Sequence, residues 1–336
     1  FYYCRMEQIT VLGAGSFGTA LGCILARNGH AVKILTRTKE VAESINSAHI
    51  NPRNFSDFTL PNNLTCTDDP ILALKNSSYI LHVIPVQHSS DYLSNIKEHI
   101  NKSTPIISCS KGLHAESLQY MSDLIPAVLG DSNPLAFFSG PSFARELLEG
   151  QPSAVVVASK DIELAEKVQM LFANPSLRVY TTTDVLGVEI GGALKNIFAI
   201  GAGILDGMGF GLNSMAALVT RGCSEMRKLA MAMGADADTL SGLAGIGDLM
   251  LTCYGTLSRN RTVGYRLGKG ESIKEIMDTM DEVAEGVYTT PAAVRLAAQY
   301  DLDLPIIKAV ASVIDGSVPP KLAVKELMER PQTKED

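Results

Sequence analysis

A β-branched run, Gln8–Leu12, leads straight into Gly13-Ala14-Gly15-Ser16-Phe17-Gly18, and a helical stripe follows from Phe17 to Asn28. This order restricts the fold more than any other feature of the chain. Gly13 permits a tight turn, Gly15 lets an anion approach the backbone, and Gly18 lets the helix lie close on the strand. The free N–H groups and positive dipole end of the helix then face whatever sits over the turn. Ala20, Leu21, Ile24 and Leu25 form the apolar stripe, and Asn28-Gly29 supplies the stop. A second strand pattern, 31–35, completes a strand–turn–helix–strand unit, which implies parallel pairing and a right-handed crossover. The context predicts a dinucleotide site. A glycine cluster that merely turns the chain is the alternative.

Further strand patterns lie at 79–84, 105–109, 135–139, 154–158 and 177–181, with helical patterns between most of them, for example 115–126 and 161–172. Several strands are apolar on both faces, as a sheet covered on both sides requires. Residues 46–63 are rich in Asn, Ser and Pro and read as a loop or excursion. Beyond residue 184 the strand pattern stops. Helical patterns follow at 185–206, 213–233, 236–242, 259–268, 272–280, 290–300, 305–315 and 320–330, and the tail 331–336 reads as frayed. The expected architecture is α/β: a Rossmann-like, doubly wound, mostly parallel sheet over 6–184, then an all-helical substrate-binding domain over 185–330. A ligand cleft is expected at their join.

Composition excludes several classes. With 46% hydrophobic and 19% charged residues, the 336-residue chain is globular. A net charge of −7 without a Lys/Arg run argues against nucleic acid or an anionic membrane as main partner, and leaves a small anion open. The six cysteines (Cys4, Cys23, Cys66, Cys109, Cys223, Cys253) form no C-x-x-C pair and read as buried free thiols of a reducing, cytoplasmic protein. No uninterrupted apolar run is long enough for a membrane span. The opening residues lack a signal-peptide pattern, and 1–5 read as a start-site oddity. No H-E-x-x-H or Cys/His spacing predicts a metal. A homodimer is the default assembly.

The end of the second strand carries Thr36-Arg37-Thr38-Lys39, where an NAD-selective site usually places a carboxylate. Arg37 can pair with a 2′-phosphate, so NADPH is expected to be preferred over NADH. A solvated surface arginine is the alternative.

Four later segments break local rules. Ser110-Lys111-Gly112 follows a strand end, where a lysine can hold an anion or simply face solvent. Ser139-Gly140-Pro141-Ser142-Phe143-Ala144 also ends a strand, and Ser142 could cap the next helix. Gly191-Gly192 interrupts a helical pattern at about 1 kcal/mol each relative to Ala. Close approach of another backbone or a ligand would offset that. Lys195, four residues on, sits among apolar residues and could act as a general acid/base, or snorkel to solvent. Asp248 follows what reads as a flexible glycine turn, 242–247, and is a natural partner for a lysine. Ser258-Arg259-Asn260 begins a helix and forms either a phosphate cradle or a plain cap.

Taken in order, 11–21, Ser110–Leu113, Ser139–Glu146, Gly191–Asn196, Thr220–Gly222, Gly245–Cys253, Ser258–Arg261 and Val283–Gly286 resemble bacterial-type NAD(P)-dependent glycerol-3-phosphate dehydrogenases. The likeness runs from about residue 8 to 330. It implies reversible hydride transfer between NAD(P)H and dihydroxyacetone phosphate, giving sn-glycerol 3-phosphate for glycerophospholipid synthesis. It also implies that Lys195 is the proton donor/acceptor, aided by Lys111 and Asp248. Gly13, Gly15, Ser16, Phe17, Gly18, Arg37, Lys111, Ala144, Arg259, Val283 and Glu285 would touch the cofactor. Lys111, Gly140, Ser142, Lys195, Asn196, Asp248, Thr252, Ser258, Arg259 and Asn260 would line the substrate site. A ketopantoate-type or 3-hydroxy-acid reductase and a non-catalytic NADPH sensor are the other readings of the same pattern.

Overall fold

The computed structural model describes residues 6–280, 283–332 and 334–335. Residues 1–5 with Cys4, and Thr333 and Asp336 of the tail, lie outside the described residues. The strands are β1 Gln8–Leu12, β2 Ala31–Leu35, β3 Leu64–Thr67, β4 Tyr79–His82, β5 Ile106–Ser108, β6 Leu135–Ser139, β7 Ser153–Ala158 and β8 Leu177–Thr182. They form one sheet in the order β3-β2-β1-β4-β5-β6-β7-β8. Every pairing is parallel except β6 with β7. The strand order reverses at β1, where Leu12 and His82 are register partners at neighbouring strand ends. In open α/β sheets that reversal is where ligands bind.

Most strand and helix patterns of the sequence are present with ends shifted by a few residues. β3 is the strand the sequence reading missed: four residues directly after a polar stretch give too short a signal. The helices Lys39–Ala48 and Val86–Ile96 were also missed, the first because its end runs into the supposed 46–63 loop. The 115–126 pattern becomes a helix only from Met121, and the 290–300 pattern starts earlier, at Glu285.

The chain groups into two units. One holds the residues up to Lys111 with Gln119–Glu189; the other holds Gly112–Leu118 with the residues from Ile190 on. In the first, Ile9, Val11, Leu21, Ile24, Ile34, Leu81, Phe138 and Phe172 are buried in one cluster that covers the sheet. In the second, helices pack on one another. Gly112–Leu118 is pinned there by Arg295, whose guanidinium donates to the carbonyls of Ala115 at 2.9 Å and Glu116 at 3.3 Å. Leu113 donates its N–H to Thr289 Oγ1 at 3.5 Å and is itself buried. Buried Glu225 accepts the N–H groups of Ile306 and Ile307, which opens the helix Pro305–Ile314 against Leu212–Ala232. Burial pushes the Glu225 carboxyl up to about 7.

The helix Val185–Gly207 is long and apolar enough to cross a membrane, although charged residues interrupt its apolar run. Its most apolar window is 89% buried inside the protein, as for a core helix. Cys23, Cys66, Cys109 and Cys253 are buried free thiols and Cys223 is half-buried. Burial raises the thiols of Cys23, Cys66 and Cys253 to about 12.

Two helices of the second unit touch backbone to backbone. A Cβ added at Gly203 would lie 2.0 Å from the carbonyl oxygen of Arg261, and one at Gly264 would lie 1.9 Å from that of Ile200. Glycines four apart on each helix, Gly203/Gly207 and Gly264/Gly268, make this crossing possible. In an open helix Gly→Ala stabilises by about 1 kcal/mol. Here the added methyl meets backbone, which cannot rotate away, so Gly264→Ala is expected to destabilise by about 2 kcal/mol or more. A thermal melt of the variant gives the sign, and a rise in midpoint would refute the crossing.

Candidate active site residues

In the first unit two glycines set the shape of the turn and a third leaves space beside it. Gly13 takes a φ of +109° and donates its N–H to Leu35 O at 3.0 Å. A Cβ on Gly18 would sit 2.2 Å from Gly13 O, whereas one on Gly15 meets nothing within 4 Å. Gly18 thus closes the helix Ser16–Arg27 onto the turn, and Gly15 leaves the approach open. Gly15 at the N-cap has no side chain to cap this helix, and a helix start of this kind is one at which backbone N–H groups can meet an anion.

The Phe17 ring lies 6.2 Å from that of Phe138, and Lys111 Nζ stands 5.7 Å above it. Lys111 leaves the end of β5 and donates to Gly140 O at 3.0 Å and Ser142 Oγ at 3.4 Å. The segments around Lys111 and Gly140 therefore meet at neighbouring strand ends. Ser142 does not cap a helix. Its hydroxyl donates to Gly140 O at 2.8 Å, and the helix Ala144–Glu149 starts after Phe143 with no side-chain cap. Ala144 packs on the sheet core. Arg37 is exposed just beyond β2. Burial pushes the nearby Tyr92 hydroxyl up to about 12, against the pull of the Arg37 charge.

In the second unit Lys195 Nζ donates to Asp248 Oδ1 at 2.5 Å. Lys195 is 8% exposed and Asp248 1%, so the lysine is paired in the interior rather than snorkelling. The glycines explain how. Gly191 lies one turn before Lys195, and a Cβ there would come within 2.3 Å of Ala244 O. Without it the segment Leu243–Gly247 rests directly on the lysine helix and delivers Asp248. That segment is a π-helical turn running into the helix Asp248–Tyr254, which corrects the expected flexible turn. Thr252 Oγ1 donates to Asp248 O at 2.6 Å and lies 3.4 Å from Oδ1.

Asn260 ties three elements together. Its Nδ2 donates to Asn196 Oδ1 at 2.9 Å, and its Oδ1 accepts from Gly286 N at 2.9 Å. Gly286 follows Glu285, which opens the helix Glu285–Gln299 and places a carboxylate at its positive end. Val283 is half-buried just before it. Ser258 Oγ accepts from Arg261 N at 3.2 Å and caps the helix Arg259–Gly268, while Arg259 at its first position is exposed. Arg261 is committed to Asp206 at 2.8 Å.

Sequence reasoning missed three polar side chains beside the first-unit residues. His82 is fully buried and its Nδ1 lies 3.0 Å from Ser110 Oγ, which also donates to Ile84 O at 2.6 Å. Burial pushes this imidazole down to about 4, so it is neutral at ordinary pH. Asn51 and Asn54 reach the glycine turn from the 46–63 excursion. Nothing in the local spacing of these residues marks them.

Comparison with known proteins gives one answer over both units. Residues 8–165 match the NAD-dependent glycerol-3-phosphate dehydrogenase N-terminus and residues 184–325 the C-terminus of the same family. The chain is 50% identical over 334 residues to glycerol-3-phosphate dehydrogenase [NAD(+)] 2, chloroplastic, of Arabidopsis thaliana, covering 98% of this chain and 80% of the relative. It is 46% identical to glycerol-3-phosphate dehydrogenase [NAD(P)+] of Leptospira biflexa, covering 96% and 98%. The crystal structure of glycerol-3-phosphate dehydrogenase from Coxiella burnetii is similar with a TM-score of 0.92 at 35% identity, covering 97% of this chain and 99% of that one. The arrangement of glycine turn, lysine–aspartate pair and asparagine bridge thus sits in a chain that belongs to the NAD-dependent glycerol-3-phosphate dehydrogenase family.

Proposed function

We infer that this chain catalyses reversible hydride transfer between NAD(P)H and dihydroxyacetone phosphate, giving sn-glycerol 3-phosphate. The buried Lys195–Asp248 pair supports the reading best, because an ammonium held by a carboxylate can protonate a ketone oxygen. Bound NAD(P)H supplies the hydride. Gly13, Gly15, Ser16, Phe17 and Gly18 hold the dinucleotide at the turn, with Ala144, Val283 and Glu285 as further contacts. As hydride reaches the carbonyl carbon, negative charge grows on oxygen. Lys195 stabilises and protonates that oxygen, and Asp248 holds the ammonium in line. Lys111, Gly140, Ser142, Asn196 and Thr252 shape the substrate's surroundings. Ser258, Arg259 and Asn260 take the phosphate, so binding energy remote from the carbonyl orients it.

The direct test is oxidation of NADPH by the purified chain with dihydroxyacetone phosphate. Turnover confined to 2-keto acids would replace this reading with a ketopantoate-type reductase. Lys195→Ala is expected to lower kcat at least about 1000-fold while NADPH still binds. Near-normal kcat in a variant that binds cofactor removes the proposed role. Arg259→Ala is expected to raise KM for the phosphorylated ketone by about 30-fold, the loss of one charge-assisted contact. Its effect on non-phosphorylated dihydroxyacetone should be slight, and equal losses on both would count against phosphate recognition. Arg37→Ala is expected to weaken NADPH by about tenfold and leave NADH unchanged, since only the former carries a 2′-phosphate. Identical cofactor ratios before and after the change would sink this assignment.

A further inference from the structure

The excursion between Lys39–Ala48 and β3 is a closed loop. His49 adopts a left-handed φ of +54°, and its carbonyl accepts from Leu60 N at 2.7 Å. Phe55 and Leu60 are buried in the first unit's core. On the outside, Arg145 pairs with Asp57 and Arg27 stands 5.3 Å over the Phe58 ring. The loop is therefore anchored at both ends and along its length. Two asparagines point from it to one atom.

That atom is the carbonyl oxygen of Ala14. It accepts from Asn51 Nδ2 at 2.9 Å and from Asn54 Nδ2 at 3.0 Å, with Thr19 Oγ1 at 3.4 Å. Asn51 Nδ2 also donates to Thr19 Oγ1 at 2.8 Å, and Asn54 Oδ1 accepts from Ser16 Oγ at 2.9 Å. Asn51 is fully buried. Each position uses an amide as only an amide can: an aspartate at either place would set an acceptor against the Ala14 acceptor.

The direction of this carbonyl decides what the glycine turn offers. The peptides here are trans, and in a planar trans peptide the N–H points opposite to the C=O. Holding Ala14 O toward the loop aims the Gly15 N–H away from it. Gly15 is exposed and has open space beside it. Rotated the other way, the same peptide would present a lone pair to an anion. We propose that Asn51 and Asn54 are positioning residues that fix the Ala14–Gly15 peptide so that its N–H meets the pyrophosphate of the dinucleotide. This rests on the reading of the glycine turn as the cofactor site.

The test is direct titration with NADH and with ADP-ribose, which keeps the pyrophosphate and lacks the nicotinamide. Asn54 is half-buried, so Asn54→Ala is the first variant. It is expected to raise Kd for both ligands by about tenfold, the size of one lost hydrogen bond. KM for dihydroxyacetone phosphate at saturating cofactor and kcat should stay within about twofold, a split that a general loosening of the protein would not produce. Asn54→Asp keeps the size and the bond from Ser16, removes the donor to Ala14, and should raise Kd further. Asp57→Ala loosens the outer anchor without touching Ala14 and should leave Kd unchanged. An Asn54 variant that melts like the wild type and binds both ligands equally well overturns the proposal. So does an Asp57→Ala loss as large as that of Asn54→Ala. If the wild type binds neither ligand, the glycine-turn reading falls and this proposal falls with it.

Discussion

Backbone approaching backbone, with no side chain between, is the constraint on which both units rest. Gly18 lies on the Gly13 carbonyl, Gly191 on that of Ala244, and Gly264 on that of Ile200. Interiors are packed to crystal-like density, so contacts at this distance have no slack to absorb a methyl group. Each also sets the place of a chemical group. The first starts a helix directly over a strand end, the second carries Asp248 to Lys195, and the third brings the Asn260 helix onto the one that bears Asn196.

The charges follow a different logic on the surface and inside. Pairs such as Arg145 with Asp57 and Glu149, or Lys308 with Asp303, are exposed and contribute little to stability. Lys195 and Asp248 are removed from water, where a pair rarely stabilises more than an apolar replacement would. Its retention in the interior is easier to understand as chemistry than as scaffolding. Thr252, one turn further along the same helix, donates to the main-chain carbonyl of Asp248 and lies 3.4 Å from the carboxylate oxygen that holds the ammonium.

The doubly wound plan was legible because its signal is strong and local. β1, the glycine turn, the helix Ser16–Arg27 and β2 follow each other with no interruption, and the later strands other than β3 are apolar runs or, in β8, an alternation of buried and exposed residues. Lys195 and Asp248 were legible as rule-breakers: a charge among apolar residues and a carboxylate after clustered glycines. Their pairing through Gly191 was half-visible, since paired glycines in a helix suggest a neighbour without naming it. The Asn51/Asn54 contacts and the His82–Ser110 bond were invisible. They join residues far apart in the chain through single polar atoms, and such bonds leave no periodicity. Ser142 was misread because a serine before a helix fits a cap locally, whereas the helix starts one residue later than a cap at Ser142 would need, with Phe143 at the N-cap.

The segment Gly112–Leu118 has a consequence for how this chain can be made or divided. It is synthesised more than sixty residues before the helices it joins, yet Arg295 and Thr289 bond its backbone and Leu113 is buried among them. A fragment cut after the last strand would lack that piece and leave those donors and acceptors to water. On the ribosome, Gly112–Leu118 must wait for its partners until most of the polypeptide has emerged. The helical half is thus a late assembler that borrows a part from its elder neighbour, and gene fission at the apparent boundary would separate it from a component it needs.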